Sequence, residues 1–178
     1  MPRLVTLNLE GLRVSDHLGD FVPASKHTSL KTLSLRLNGI EPESILYMKY
    51  LINFETLEHL NIANNWIRMV GIERLKECFS LFKTLKVLNL SANKLFIESP
   101  HRTEDLRDML VEVRKTLTDL DISENAMRCE DLHILTPAIV LLTKLQRLNI
   151  SRNPFESEVM LKLFTDLLAF HSENKTEC

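Results

Sequence analysis

Glycine is scarce in this chain, with four residues in 178. A loop that cradles phosphate on consecutive backbone amides needs a glycine-rich run, so that kind of nucleotide site is excluded. Cysteine is rarer still. Cys78, Cys129 and Cys178 are an odd count without metal-like spacing, which points to a reducing, intracellular and cytoplasmic setting. Long apolar runs are missing: Ile139 to Leu142 is typical and far too short to cross a bilayer. No apolar segment follows Met1-Pro2-Arg3, so no signal peptide is expected. Net charge is only -2, aromatics make up 6%, and Lys and Arg are dispersed. Neither nucleic acid nor a membrane is therefore expected as a partner.

Catalytic signatures are missing as well. No HExxH, CxxC or GxSxG occurs. His17, His27, His59, His101, His133 and His171 are scattered and read as surface or partly packed side chains. The carboxylate pairs Glu104-Asp105 and Glu130-Asp131 suit helix starts, where they complement the helix dipole. The expectation is a non-enzyme with no cofactor, no metal and no catalytic residue. Two sequons, at Asn89 and Asn149, fall inside expected strands, and a third lies at Asn174; chance explains them better than glycans.

What the chain does have is self-similarity. Six segments align on a leucine: LVTLNLEGLRV from Leu4, LKTLSLRLNGI from Leu30, LEHLNIANNWI from Leu57, LKVLNLSANKL from Leu85, LTDLDISENAM from Leu117 and LQRLNISRNPF from Leu145. Successive starts lie 26, 27, 28, 32 and 28 residues apart. Counting the first leucine as slot zero, apolar residues recur at slots three, five and ten. Slot eight is Asn38, Asn65, Asn93, Asn125 and Asn153, broken only by Leu12. Alternation around slots three and five predicts a short strand with one buried face. The returning half is amphipathic at helical spacing: Met48, Leu51 and Phe54; Leu75, Phe79 and Phe82; Leu106, Leu110 and Val113. One such unit cannot bury its apolar face alone, so neighbours must stack. The asparagine leaves the strand and turns inward, where its amide can satisfy turn backbone groups.

The pattern resembles the leucine-rich repeat family from Leu4 to the C-terminal end. The period near 28 with a helical second half is similar to the ribonuclease-inhibitor-like subclass. That subclass carries Asn or Cys at slot eight and a glycine about fourteen positions in. Gly71 alone matches the glycine; Ser44 and Asp131 stand at the equivalent place. The resemblance implies an α/β, right-handed leucine-rich-repeat solenoid, with parallel strands on the concave face and helices on the convex face. It implies a single domain over 1–178, in six repeats starting near 4, 30, 57, 85, 117 and 145.

Several stretches depart from the repeat. The first has no good helix, because FVPASKHTS contains Pro, Ser and Thr, so an extended or irregular return is expected. Pro2 would blunt the exposed strand edge. FIESPHRTED, from Phe96 to Asp105, holds a four-residue excess, and such insertions go to rim loops. Pro137 is expected to break or kink the fifth helix, or start a second one. The segment 156–173 reads as a capping helix with Val159, Leu163, Phe164, Leu167 and Phe170 toward the core, and 174–178 as a frayed tail.

Stacked strands would turn slots two, four and six toward the concave side. That face is polar and mostly small. Trp66, the only tryptophan, occupies slot nine at the rim. Two charged pairs, Asp119 with Arg147 and Glu124 with Arg152, share slots on adjacent strands. The resemblance implies a non-enzymatic protein-interaction module. The candidate partner-binding residues are Arg36, His59, Asn61, Trp66, Val87, Asp119, Asp121 and Arg147. Two other readings stand beside it. One is a structural subunit of a larger cytoskeletal or ciliary assembly, with self-association or continuation at the open N-terminal edge. The other is a small-GTPase regulator, because a GTPase-activating protein for Ran is similar in repeat type; no residue set here carries that activity over.

Overall fold

Each repeat places a three-residue strand and then a turn, and all but the first described return is an α-helix. The computed structural model describes residues 4–21, 29–97 and 102–173, with side chains omitted at 21, 49–51 and 170–173. The order is β1 (Thr6–Asn8), a 3-10 helix (Ser15–Phe21), β2 (Thr32–Ser34), α1 (Ile45–Leu51), β3 (His59–Asn61), α2 (Arg68–Phe79), β4 (Val87–Asn89), α3 (Thr103–Glu112), β5 (Asp119–Asp121), α4 (Cys129–Val140), β6 (Arg147–Asn149) and α5 (Ser157–Glu173).

The six strands form one open parallel sheet in sequence order. Register is the same at every step: the middle leucines Leu7, Leu33, Leu60, Leu88, Leu120 and Leu148 pair in one row. Adjacent strands twist and pair only when each return crosses the same way, and the helices stack in the same order as the strands. Between the two layers runs one core. Leu33, Leu35, Leu57, Leu60, Ile62, Leu85, Leu88, Leu90, Leu117, Leu120 and Ile122 supply its strand side, and Met48, Leu75, Leu106, Leu110, Leu132 and Leu135 its helix side. Each fully buried side chain of this kind contributes roughly 1.5–3 kcal/mol. Phe82 seals the base of the third repeat, edge-on to Phe54 at 4.9 Å and to Phe79 at 5.0 Å.

The structure corrects three expectations. The helix of the fifth repeat continues through Pro137. Pro137 and His133 both lie on the exposed side. The carbonyl that loses its donor therefore faces water, and the helix ends three residues later in any case. In α5, Leu163 is buried and Val159 and Leu167 are partly buried, but Phe164 is 57% exposed. It sits with Leu161 and Leu168 on the opposite face, because 161, 164 and 168 share one helical stripe. Slot six is not wholly concave surface: Ala63 and Ser123 are buried. The first repeat returns through a 3-10 helix that buries Leu18; its continuation at 22–28 lies outside the described residues, as do Pro2, Phe170's side chain and the insertion at 98–101.

Candidate functional site: the concave face and its rim

In-register pairing aligns the concave slots into rows. Thr6, Thr32, His59, Val87, Asp119 and Arg147 make one row; Asn8, Ser34, Asn61, Asn89, Asp121 and Asn149 make the next. Four of the predicted residues come together here. Val87, Asp119, Asp121 and Arg147 line a notch of about 620 Å³ across β4 to β6, joined by Asn89, Gln146 and Asn149. His59 and Asn61 adjoin it on β3.

The second row has a structural duty as well. The side-chain oxygen of each Asn or Asp at slot four accepts the backbone N–H two residues on, which bends the chain off the strand. Asn8 takes Glu10 N–H, Asn61 takes Ala63, Asn89 takes Ser91, Asp121 takes Ser123 and Asn149 takes Ser151, at 2.9 to 3.1 Å. Asn149 Nδ2 then donates to Asp121 Oδ2 at 3.0 Å. The Nδ2 groups of Asn61 and Asn89 make no hydrogen bond among the described residues, so they remain donors toward the concave space.

Charges on this face are mostly paired. Arg147 donates to Asp119 through Nε, and Thr118 Oγ1 donates to the same carboxylate at 2.6 Å. Partial burial would raise the Asp119 pKa. The Thr118 hydroxyl, the Arg147 guanidinium and the nearby His59 outweigh it and hold the carboxyl below its ordinary range. Arg36 is bound to Glu10 and lines neither groove. Glu124 and Arg152 pair at 2.7 Å. A charge ladder that the sequence reading passed over runs along slot one. Glu58 sits between Lys31 at 2.7 Å and Lys86 at 2.6 Å, and the hydrogen bonds from Lys31 and then Lys86 lower its pKa to about 2. Only the paired register brings those three together, because they lie 27 and 28 residues apart.

Trp66 stands apart on the rim, 49% exposed, with the Lys94 ammonium 4.9 Å from its ring centroid. It borders a groove of about 550 Å³ lined by Arg13, Ser15, Asp16, Leu37, Asn38, Gly39, Glu41 and Asn64. Leu37 is also half exposed. The eight predicted residues thus divide three ways: six on the concave face at or beside the notch, Trp66 at the rim groove, and Arg36 held in an ion pair.

Behind the rim lies the asparagine spine. Asn38, Asn65, Asn93 and Asn125 are buried, and Asn153 is partly so. From Asn65 onward each Nδ2 donates to three carbonyls, one of them in the preceding repeat; for Asn125 these are Leu90, Ile122 and Ser123. Each Oδ1 is the natural acceptor for the slot-eight and slot-ten amides of the repeat before. Asn65 accepts Asn38 and Ile40, Asn125 accepts Asn93 and Leu95, and Asn153 accepts Asn125 and Met127. Asn93 Oδ1 is the exception: it is buried and accepts no hydrogen bond from the described residues.

An open parallel sheet, a helix row and an asparagine spine define a solenoid of leucine-rich repeats. A family model described as "Leucine Rich repeat" matches residues 26–48 and 55–76. Among solved structures, the tropomodulin C-terminal domain of Caenorhabditis elegans is similar in fold. It has 13% identity and a TM-score of 0.55, over 97% of this chain and 87% of that one. The search of curated proteins gave no match. The two matched segments are leucine-rich repeats, and the described residues as a whole take the fold of a repeat solenoid.

Proposed function

We propose that this chain is a non-enzymatic protein-interaction module that binds a protein partner through the concave face and the adjoining rim. The observation that carries the reading is Trp66. It is half exposed beside a groove, on a molecule whose other aromatic side chains with described burial are mostly packed. Tryptophan is among the residues enriched at the hot spots that carry most of an interface's binding energy. The notch supports the same reading: Asp121, Asn149 and the free Nδ2 of Asn89 converge there, with small side chains that leave room for a partner's element. The leucine-rich repeat fold supports a binding role, although the fold alone does not fix one.

The test is parallel capture with wild type, Trp66→Ala, Asp121→Lys and the convex control Glu77→Lys. A partner retained by wild type and by the convex control, and lost with either concave or rim variant, is expected. Retention by all four would move the interface elsewhere.

A second reading has its own observation. Val5 and Leu12 are exposed in the first repeat, and the outer edge of β1 pairs with no described strand. As a structural subunit, the chain would dock through that edge. Light scattering of wild type and Leu12→Glu separates the two: association abolished by Leu12→Glu favours the subunit, and a monomer in both favours the interaction module.

A further inference from the structure

The orphaned oxygen of Asn93 has a local cause. In the spine turns, slot nine lies between the two amides that must meet one oxygen. A left-handed residue there turns the two flanking amides toward a common concavity. Arg13, Lys94 and Ala126 take it with φ of 55°, 56° and 59°, and Gly39 with 66°. Trp66 does not; besides Asn64 at slot seven, a slot that is left-handed in every repeat, the left-handed residue of its turn is Arg68, two positions after Trp66. Trp66 N–H instead donates to Ile40 O at 2.9 Å, whereas Arg68 N–H donates to Asn93 O at 3.1 Å just as Phe96 N–H does to Asn125 O in the next repeat. The Asn65 and Ile67 amides consequently miss Asn93 Oδ1. The one turn that carries the exposed indole is the one that leaves a buried acceptor unpaired.

We propose that residues 64–68 form a two-position turn. In the first position, described above, Trp66 stands over the rim groove beneath Lys94. In the second, Trp66 enters the left-handed region, its N–H releases Ile40 O, and the Asn65 and Ile67 amides converge on Asn93 Oδ1. Inverting φ at Trp66 redirects its Cα–Cβ bond, so the indole leaves the groove as the spine closes. Display of Trp66 and completion of the spine are then alternatives. Buried polar groups are seldom left unpaired without a reason, and backbone departures of this kind cluster at binding elements. A partner seated on Trp66 selects the displayed position. That last step rests on the rim reading under Proposed function; the turn's two positions do not.

Amide hydrogen exchange on the whole chain tests the turn without any partner. In wild type, the Asn65 and Ile67 amides exchange about ten-fold or more faster than those of Asn93 and Leu95. Trp66→Gly, which frees φ, slows both, and Trp66→Ala slows them less. Adding Asn93→Ala to Trp66→Gly removes the slowing. The proposal is overturned if Trp66→Gly leaves both rates unchanged, or if Trp66→Ala slows them equally, since loss of the indole alone would then be the cause. Should Asn93→Ala prevent folding, the Gly–Ala comparison still decides. Lost capture with unchanged exchange would overturn the switch and keep the rim; slowed exchange with intact capture would keep the switch and overturn the rim.

Discussion

Asn125 and Asn93 occupy the same slot, and the sequence cannot tell them apart. Among the described residues the side chain of Asn125 makes five hydrogen bonds, two as acceptor and three as donor, while that of Asn93 makes only the three donated ones. Removing Asn125 strands two buried amides that removing Asn93 does not. Each stranded group costs roughly 1–3 kcal/mol. Urea unfolding should therefore place Asn125→Ala below Asn93→Ala by at least about 1 kcal/mol; equal losses would mean that Asn93 Oδ1 is paired in solution. Glu58 provides a second residue-scale test. Its folded pKa of about 2 lies below its ordinary 4.5. A depressed carboxylate adds stability above its unfolded pKa and gives it up as pH falls through the folded one. Stability should thus drop from pH 4.5 toward 2, and Glu58→Gln should flatten that limb. The inward asparagines were legible because they recur. The Glu58 clamp was not, because single charges at a slot acquire meaning only from the neighbours that pairing supplies.

Among the elements, α2 carries Gly71, whose missing side chain is a packing requirement. A Cβ there would sit 2.5 Å from Ile67 Cγ2 and 3.4 Å from Ile45 Cγ1. Alanine usually improves a helix by about 1 kcal/mol over glycine. Here overpacking, typically 1–3 kcal/mol, opposes it, and a β-branched isoleucine has little freedom to withdraw. Gly71→Ala should lower the midpoint of thermal unfolding; a raised midpoint would show that the helix can slide outward. Pro137 carries the complementary lesson. Local rules predicted a break, yet the helix persists because the affected carbonyl faces water and Leu132, Leu135 and Ile139 hold the inner face. Phe164 of α5 faces water for a related reason: apolar residues occupy more than one side of that helix, so period alone does not choose the buried one.

Across the whole molecule, stability passes between neighbouring repeats. Leu88 is fully buried between two neighbours, whereas Leu148 on the last strand is only partly covered. Leu88→Ala should cost about 2–5 kcal/mol and Leu148→Ala distinctly less, because cavity cost follows the packing lost. Chemical denaturation of both variants checks it; equal costs would require a covering surface on the last repeat. The candidate site divides along the same line. Rows of residues at slots two and four followed from repeat arithmetic, and with them the concave placement of His59, Asn61, Val87, Asp119, Asp121 and Arg147. The ion pair that occupies Arg36 and the Lys94 ammonium over Trp66 did not follow. By itself the sequence determined the solenoid, its period, its buried rows and its asparagine corner, because each is repeated and burial imposes a strict spacing on repeated apolar groups. Only the tertiary structure decided which polar atoms are satisfied and which turn breaks step, because backbone handedness at one residue and contacts between residues some thirty positions apart leave no periodic mark.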